Sequence, residues 1–172
     1  YDGVLVVRSD AGIETLTDLE GKTICYVNRD STTGYHLPRV FLSDQGLDPD
    51  QIFDDSRFSG SHQKAIQDLS DGECEVAATT SVFYHEATKL GGSKRNLSML
   101  DQTGRLPNDA VCAAPGTEDA LVEDFTEALS RLDPARDLGT PTVGEIERIS
   151  GFSPTVDSSY DALRESLKLS NP

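Results

Sequence analysis

The run Thr23-Ile24-Cys25-Tyr26-Val27 leads into Asp30-Ser31-Thr32-Thr33-Gly34-Tyr35, with Pro38 just beyond. The first five residues read as a short strand, and Leu37, Val40 and Phe41 then recur at helical spacing. A strand that ends in a hydroxyl-rich turn and opens a helix leaves backbone N–H groups without acceptors. Together with three consecutive Ser and Thr hydroxyls, those donors suit a small tetrahedral oxyanion. An ordinary helix N-cap uses the same residue types, so the neighbouring segments must decide.

Those neighbours repeat the pattern. Residues 53–58 read as a strand, Gly60-Ser61-His62 opens a helix carrying Ala65, Ile66 and Leu69, and Asp71-Gly72 closes it. Residues 74–80 form a strand rich in small side chains, followed by a helix over residues 81–90. Upstream, residues 1–7 read as a strand and residues 15–22 as one helical turn closed by glycine. Alternating strand and helix predicts an α/β fold with a parallel-type sheet and helices on both faces. Such sheets bind ligands at strand carboxyl ends. Three polar turns fall there, at residues 31–33, 61–62 and 79–81, and their convergence favours an anion site over three separate caps.

Further along, residues 91–95 read as a flexible loop, and residues 97–100 and 110–114 as strands. Thr117 is placed to cap a helix whose Leu121, Val122, Phe125, Leu129 and Leu132 form a core-facing stripe. Residues 143–169 read as two helical pieces broken at Gly151-Phe152-Ser153-Pro154.

Net charge over the 172 residues is −15, from 30 acidic and 15 basic side chains. A nucleic-acid surface needs clustered Lys and Arg, and none is visible. The same deficit argues against an anionic membrane surface, and no run approaches the length of a membrane span. Asp exceeds Glu and Arg exceeds Lys, a bias that fits either a brine-adapted, halophilic surface or simply an acidic one. Cys25, Cys74 and Cys112 lack metal-ligand spacing. They read as small buried hydrophobes, at least one of them unpaired in an isolated chain, and leave the redox compartment open. The chain starts inside a strand with no leader before it, which raises the expectation of a fragment.

Four blocks, in this order, resemble the phosphonate/phosphate/phosphite-binding proteins of bacterial and archaeal ABC importers, within the type 2 periplasmic-binding-protein superfamily. They are VLVVRSDAGI (residues 4–13), LTDLEGKTICYVNRDSTTGYHLPR (16–39), FSGSHQKAIQDLSDGECEVAATTS (58–81) and LPNDAVCAAPGTEDALVEDFTEAL (106–129). The resemblance implies an α/β fold of one complete lobe plus part of another. Residues 11–105 would form lobe 2, residues 1–10 and 109–172 a partial lobe 1 lacking its N-terminal part, and residues 106–108 the hinge region. It implies Ser31, Thr32 and Thr33 as donors to the oxyanion, His62 as a second contact, and Asp109 as an acid beside the bound group. Ser61 and Thr80, at the neighbouring turns, complete the expected ligand-binding set. Members that bind aminoalkylphosphonates carry an acid where Val82 stands here. Valine cannot pair an ammonium, which favours phosphate, phosphite or a small alkylphosphonate.

The implied function is an extracytoplasmic solute-binding protein that delivers a phosphorus oxyanion to an ABC permease. It would lie in the periplasm or outside the cell, any lipid anchor being on a segment outside this chain. No cofactor, metal, nucleic-acid partner or direct membrane insertion is expected. A ligand-sensing extracytoplasmic domain of a signalling receptor is the alternative. Phosphoester hydrolysis by His62 and Asp109 is a weaker one, and no enzyme is expected, because no nucleophile–base pair, metal cluster or phosphate-loop lysine accompanies the turn. Tyr35-His36 and Tyr84-His85-Glu86 read as solvated helical side chains.

Overall fold

Val4, Leu5, Val6 and Val7 are consecutive and all buried, which a strand achieves only where both sheet faces are covered. The computed structural model describes residues 1–90, 96–139, 142–143, 147–148, 150–161, 163–164 and 167. Its main sheet has five strands, β1 (Asp2–Arg8), β2 (Lys22–Tyr26), β3 (Phe53–Phe58), β4 (Val76–Thr80) and β5 (Leu97–Arg105), in the order β3-β2-β4-β1-β5. β2 runs parallel to β3 and β4, whereas β1 is antiparallel to both β4 and β5. The sheet is therefore mixed, with β1 alone reversed.

Side chains alternate across this sheet with the period of two that a pleated strand imposes. Leu5, Val7, Ile24, Tyr26, Val76 and Ala78 point to one face. There they meet Leu42 of helix α1 (Leu37–Asp44) and Leu19 of a single 3-10 turn, Leu16–Leu19. Val4, Val6, Cys25 and Ala77 point to the other. They pack on Ala65, Ile66 and Leu69 of α2 (His62–Asp71) and Ala87 of α3 (Ser81–Leu90). Helices thus cover both faces.

A close approach fixes the entry to α1. The chain leaves β2 and makes one wide turn, Thr32–His36, in which the His36 N–H reaches back five residues to the Ser31 carbonyl at 3.1 Å. Gly34 sits against the end of β2. A Cβ there would stand 2.6 Å from Val27 Cβ and 2.8 Å from Ser31 Oγ, so no larger residue fits without shifting the turn. Gly3 on β1 is tight against β5 instead, where an added Cβ would lie 2.6 Å from Thr103 Oγ1 but in ordinary van der Waals contact with Thr33 Cβ at 3.5 Å.

The domain expectation requires correction. β1, expected to belong with residues 109–172, is hydrogen-bonded inside the sheet between β4 and β5. One compact unit comprises Tyr1–Leu106 with the described residues of Tyr160–Pro172, and the other is Pro107–Ser159. A strand's partners, not its place in the chain, decide its domain.

The second unit holds α4 (Asp119–Arg131), a one-turn helix α5 (Pro134–Asp137), and a two-stranded pair, β6 (Thr142–Val143) and β7 (Glu147–Arg148). Residues 110–114, expected as a strand, are irregular and exposed. Thr117 bonds the Ala114 carbonyl, and Glu118 is the N-cap residue. The stripe expected to face a core is not buried, and Leu121 and Phe125 are exposed. A helical apolar period identifies a face but not its cover. Residues 142–143 and 147–148 are strand rather than helix; the rest of the expected tail helices falls partly, and the loop at residues 91–95 wholly, outside the described residues.

Cys25 and Cys74 form a disulfide buried in the second core, with Cα atoms 5.9 Å apart, while Cys112 is free and exposed. The bond closes a loop of 49 residues, so removing it enlarges the unfolded ensemble and costs roughly 2–4 kcal/mol. Replacing both cysteines with alanine is expected to lower the urea midpoint accordingly. A midpoint within error of the parent would show that the bond is not formed. Gly34→Ala is expected to cost about 1–3 kcal/mol through overpacking, with part restored by adding Val27→Ala. No loss in the single variant would refute the close approach.

Candidate functional site

Because β2, β3 and β4 are parallel neighbours, their carboxyl ends lie along one edge of the sheet. After β2 the chain is drawn inward by hydrogen bonds. Val27 N–H donates to the Gly34 carbonyl at 3.1 Å, and Ser31 N–H to the Asn28 carbonyl at 3.2 Å. Ser31 Oγ accepts from Gly34 N–H at 3.1 Å, which leaves its hydroxyl hydrogen available for another acceptor. Thr32 is half-buried and Thr33 is buried. Their N–H groups open the turn and have no acceptor behind them in the helix. The turn packs against the ends of β4 and β1.

The second turn follows β3, whose chain stays beside β2 through Ser59 N–H to the Tyr26 carbonyl and Gly60 N–H to the Val27 carbonyl, both 2.8 Å. Gly60 has φ +88°, a left-handed conformation that favours glycine. Ser61 is exposed, and its Oγ caps α2 by accepting from Lys64 N–H at 3.1 Å. His62 is half-buried. Its Nδ1 lies 3.1 Å from Thr79 Oγ1, and its ring stacks on Phe83 at 5.2 Å between centroids. With Nδ1 engaged, Nε2 is the nitrogen left for a ligand. Burial lowers the pKa of the imidazole, so the ring is neutral at pH 7.

β4 supplies the third turn. Thr79 and Thr80 are both buried, Thr80 lies opposite Gly3 on β1, and its Oγ1 accepts from Phe83 N–H at 3.4 Å at the start of α3. Thus Ser31, Thr32, Thr33, Ser61, His62 and Thr80 all stand at the carboxyl edge of one sheet. Asp109 belongs to the second unit, where it is exposed.

Three further residues shape the site beyond the expected ligand-binding set. Thr79 orients His62 and Phe83 stacks on it; the place of Thr79 in the third turn was its signal, and Phe83, inside α3, had none. His36, read as solvated, is instead buried and hydrogen-bonds the Arg29 backbone. The wide turn supplies the reason, since an i→i+5 bond rotates the following residue relative to ordinary helical phase. Among the described residues no group of three or more His, Cys, Asp or Glu side chains is placed to hold a metal. No described helix is long and apolar enough to cross a membrane.

Comparison with known proteins follows the same lines. Solved structures of similar fold include PhnD1 of Prochlorococcus marinus in complex with methylphosphonate, 16% identical with a TM-score of 0.73 over 99% of this chain and 66% of that one. A binding-protein component of an ABC phosphonate transporter from Pseudomonas aeruginosa is 17% identical with a TM-score of 0.72, over 99% of this chain and 57% of that one. The tetrathionate sensor histidine kinase of Salmonella typhimurium is 31% identical over 138 residues, 73% of this chain but 23% of the kinase. The chain therefore spans about a quarter of that curated relative and under two thirds of the Pseudomonas structure. A family model described as "ABC transporter, phosphonate, periplasmic substrate-binding protein" matches residues 1–160. The chain belongs to this family of periplasmic substrate-binding proteins of phosphonate ABC transporters.

Proposed function

We propose that this chain is the ligand-binding part of an extracytoplasmic protein that captures a phosphorus oxyanion (a phosphonate, phosphate or phosphite) for an ABC permease. The observation that carries the reading is the meeting of three donor-bearing turns at adjacent carboxyl ends of parallel strands. Hydroxyl and amide donors of Ser31, Thr32 and Thr33 take the anion oxygens. His62, held by Thr79, and Thr80 and Ser61 on the flanking turns complete the set. Each charge-assisted hydrogen bond contributes roughly 1.5–3 kcal/mol, so a handful offsets the dehydration of the anion. The reaction needed is binding alone, and the family's members are described as binding proteins.

The Cys25–Cys74 disulfide suits an oxidising, extracytoplasmic compartment. A sensing role is the second reading, favoured by the identity to a tetrathionate sensor kinase. Flanking sequence coding for a transmembrane helix and kinase, with tetrathionate binding in place of phosphorus oxyanions, would establish it over transport.

Calorimetry with phosphate, phosphite and methylphosphonate is expected to detect binding by the intact chain. Ser31→Ala combined with Thr32→Val removes two donors, about 3–6 kcal/mol, and is expected to weaken binding more than about 100-fold with the circular dichroism unchanged. Unaltered affinity in that variant would defeat the assignment. A second expectation concerns pH. The His62 pKa is lowered by burial, so as pH falls through about 6.5 the unfolded chain takes up the proton first and stability is lost. His36 is shifted the same way by burial, opposed in part by its hydrogen bond to the Arg29 backbone. His62→Gln should therefore flatten, without abolishing, the decline in urea stability between about pH 7.5 and 5.5. An undiminished decline would contradict a buried neutral ring.

A further inference from the structure

Acidic side chains outnumber basic ones by 30 to 15, and the described cations are held by carboxylates almost without exception. Arg39 forms two bonds to Asp50, at 2.9 and 2.8 Å. Arg57 joins Asp55 and Glu73, Lys64 pairs with Asp68, and Arg105 with Asp2. Among the Lys and Arg side chains that the structure describes, Arg29 alone forms no ion pair. It stands two residues before Ser31, on the loop that feeds the hydroxyl turn.

The loop is fixed while the guanidinium is lightly held. Asp30 N–H donates to Asn28 Oδ1 at 3.0 Å, and the buried His36 imidazole hydrogen-bonds the Arg29 backbone. The Arg29 side chain rests over the Phe58 ring, 5.0 Å from its centroid. Phe58 ends β3, three residues before Ser61, and is 43% exposed. A cation over an exposed ring is held only weakly. An oxyanion attracts a guanidinium more strongly than an exposed ring does, so the cation is free to respond to an arriving anion.

We propose that Arg29 is the capture residue of the oxyanion site: a guanidinium without an ion pair, parked on Phe58 and carried by the loop that feeds the hydroxyl turn, that attracts the incoming phosphorus oxyanion and screens it from the acidic surface. The inference rests on the hydroxyl-turn reading above and adds to it a specificity for charge. A protein of net charge −15 repels anions, and exposed Asp30 lies directly beside the turn. Arg29 lines one cavity with Phe58, Asp54 and Asp55, and because no carboxylate pairs with it directly, its positive charge offsets part of the local repulsion over the Debye length, about 10 Å in 0.1 M salt. Removing it leaves Asp30 to face the ligand. The neutral donors hold the dehydrated anion afterwards, so the arginine's contribution is electrostatic and salt-sensitive.

The test is calorimetry of the intact chain with methylphosphonate at about 20 mM and about 1 M salt. Arg29→Gln is expected to weaken binding roughly five- to twentyfold at low salt, with the difference falling below about twofold at high salt. Arg29→Lys keeps the charge and should keep the salt dependence while losing part of the affinity; Phe58→Leu should also keep the salt dependence. Parent-like affinity and salt dependence in Arg29→Gln would overturn the proposal. So would a loss that persists undiminished at high salt, since that marks a structural role. Retained binding in the Ser31→Ala, Thr32→Val variant, with Arg29→Gln still salt-sensitive, would remove the turn's role and leave the arginine's. Failure of the intact chain to bind phosphate, phosphite or methylphosphonate would overturn both.

Discussion

Hydrogen bonding of β2 to β3 on one side and β4 on the other, all three running the same way, obliges three chains to leave the sheet along one edge. Each then starts a helix, and each start brings amide donors that the helix itself cannot satisfy. The residues placed at those starts are hydroxyl-bearing or imidazole-bearing. Gly34 and Gly3 complete the arrangement by lacking side chains. With a Cβ at Gly34 the turn after β2 would stand off from Val27, and with one at Gly3 the strand β1 would collide with Thr103 of β5.

Electrostatics then divides into a local and a global part. Around Ser31–Thr33 and His62 the donors are neutral, with His62 kept uncharged by burial, so an anion can be surrounded without a buried countercharge. At longer range the acidic surface opposes anion entry, and salt screens that field within about a Debye length. Nearly all described cations are neutralised by neighbouring carboxylates, so they contribute little to the field at the site. Arg29 differs because it is held by a ring rather than a carboxylate.

The alternation of strand and helix from residue 22 to residue 90, and the polar turns within it, were legible because each rests on local periodicity and turn chemistry. Partnerships between distant residues were not. β1 was grouped with the wrong segment because its hydrogen-bonding partners, Thr80 and Gly104 opposite Gly3, lie far along the chain. Cys25 and Cys74 gave no spacing motif, since cysteine positions do not determine pairing. The stripe on α4 showed an apolar face but not what lies against it. His36 was misread because a five-residue hydrogen bond breaks the 3.6-residue phase used to place it. At the candidate site, Ser31, Thr32 and Ser61 were readable from the sequence as turn residues. The pairing of Thr79 with His62 required knowing that β4 and α2 are neighbours.

The measurement that bears most directly on the account is a residue-resolved NMR titration of the ¹⁵N-labelled intact chain with methylphosphonate. The account requires the largest amide shifts at Thr32 and Thr33, together with changes in the His62 ring resonances and the Thr79–Thr80 amides. Shifts confined to other surfaces, with those residues unmoved at saturation, would contradict it.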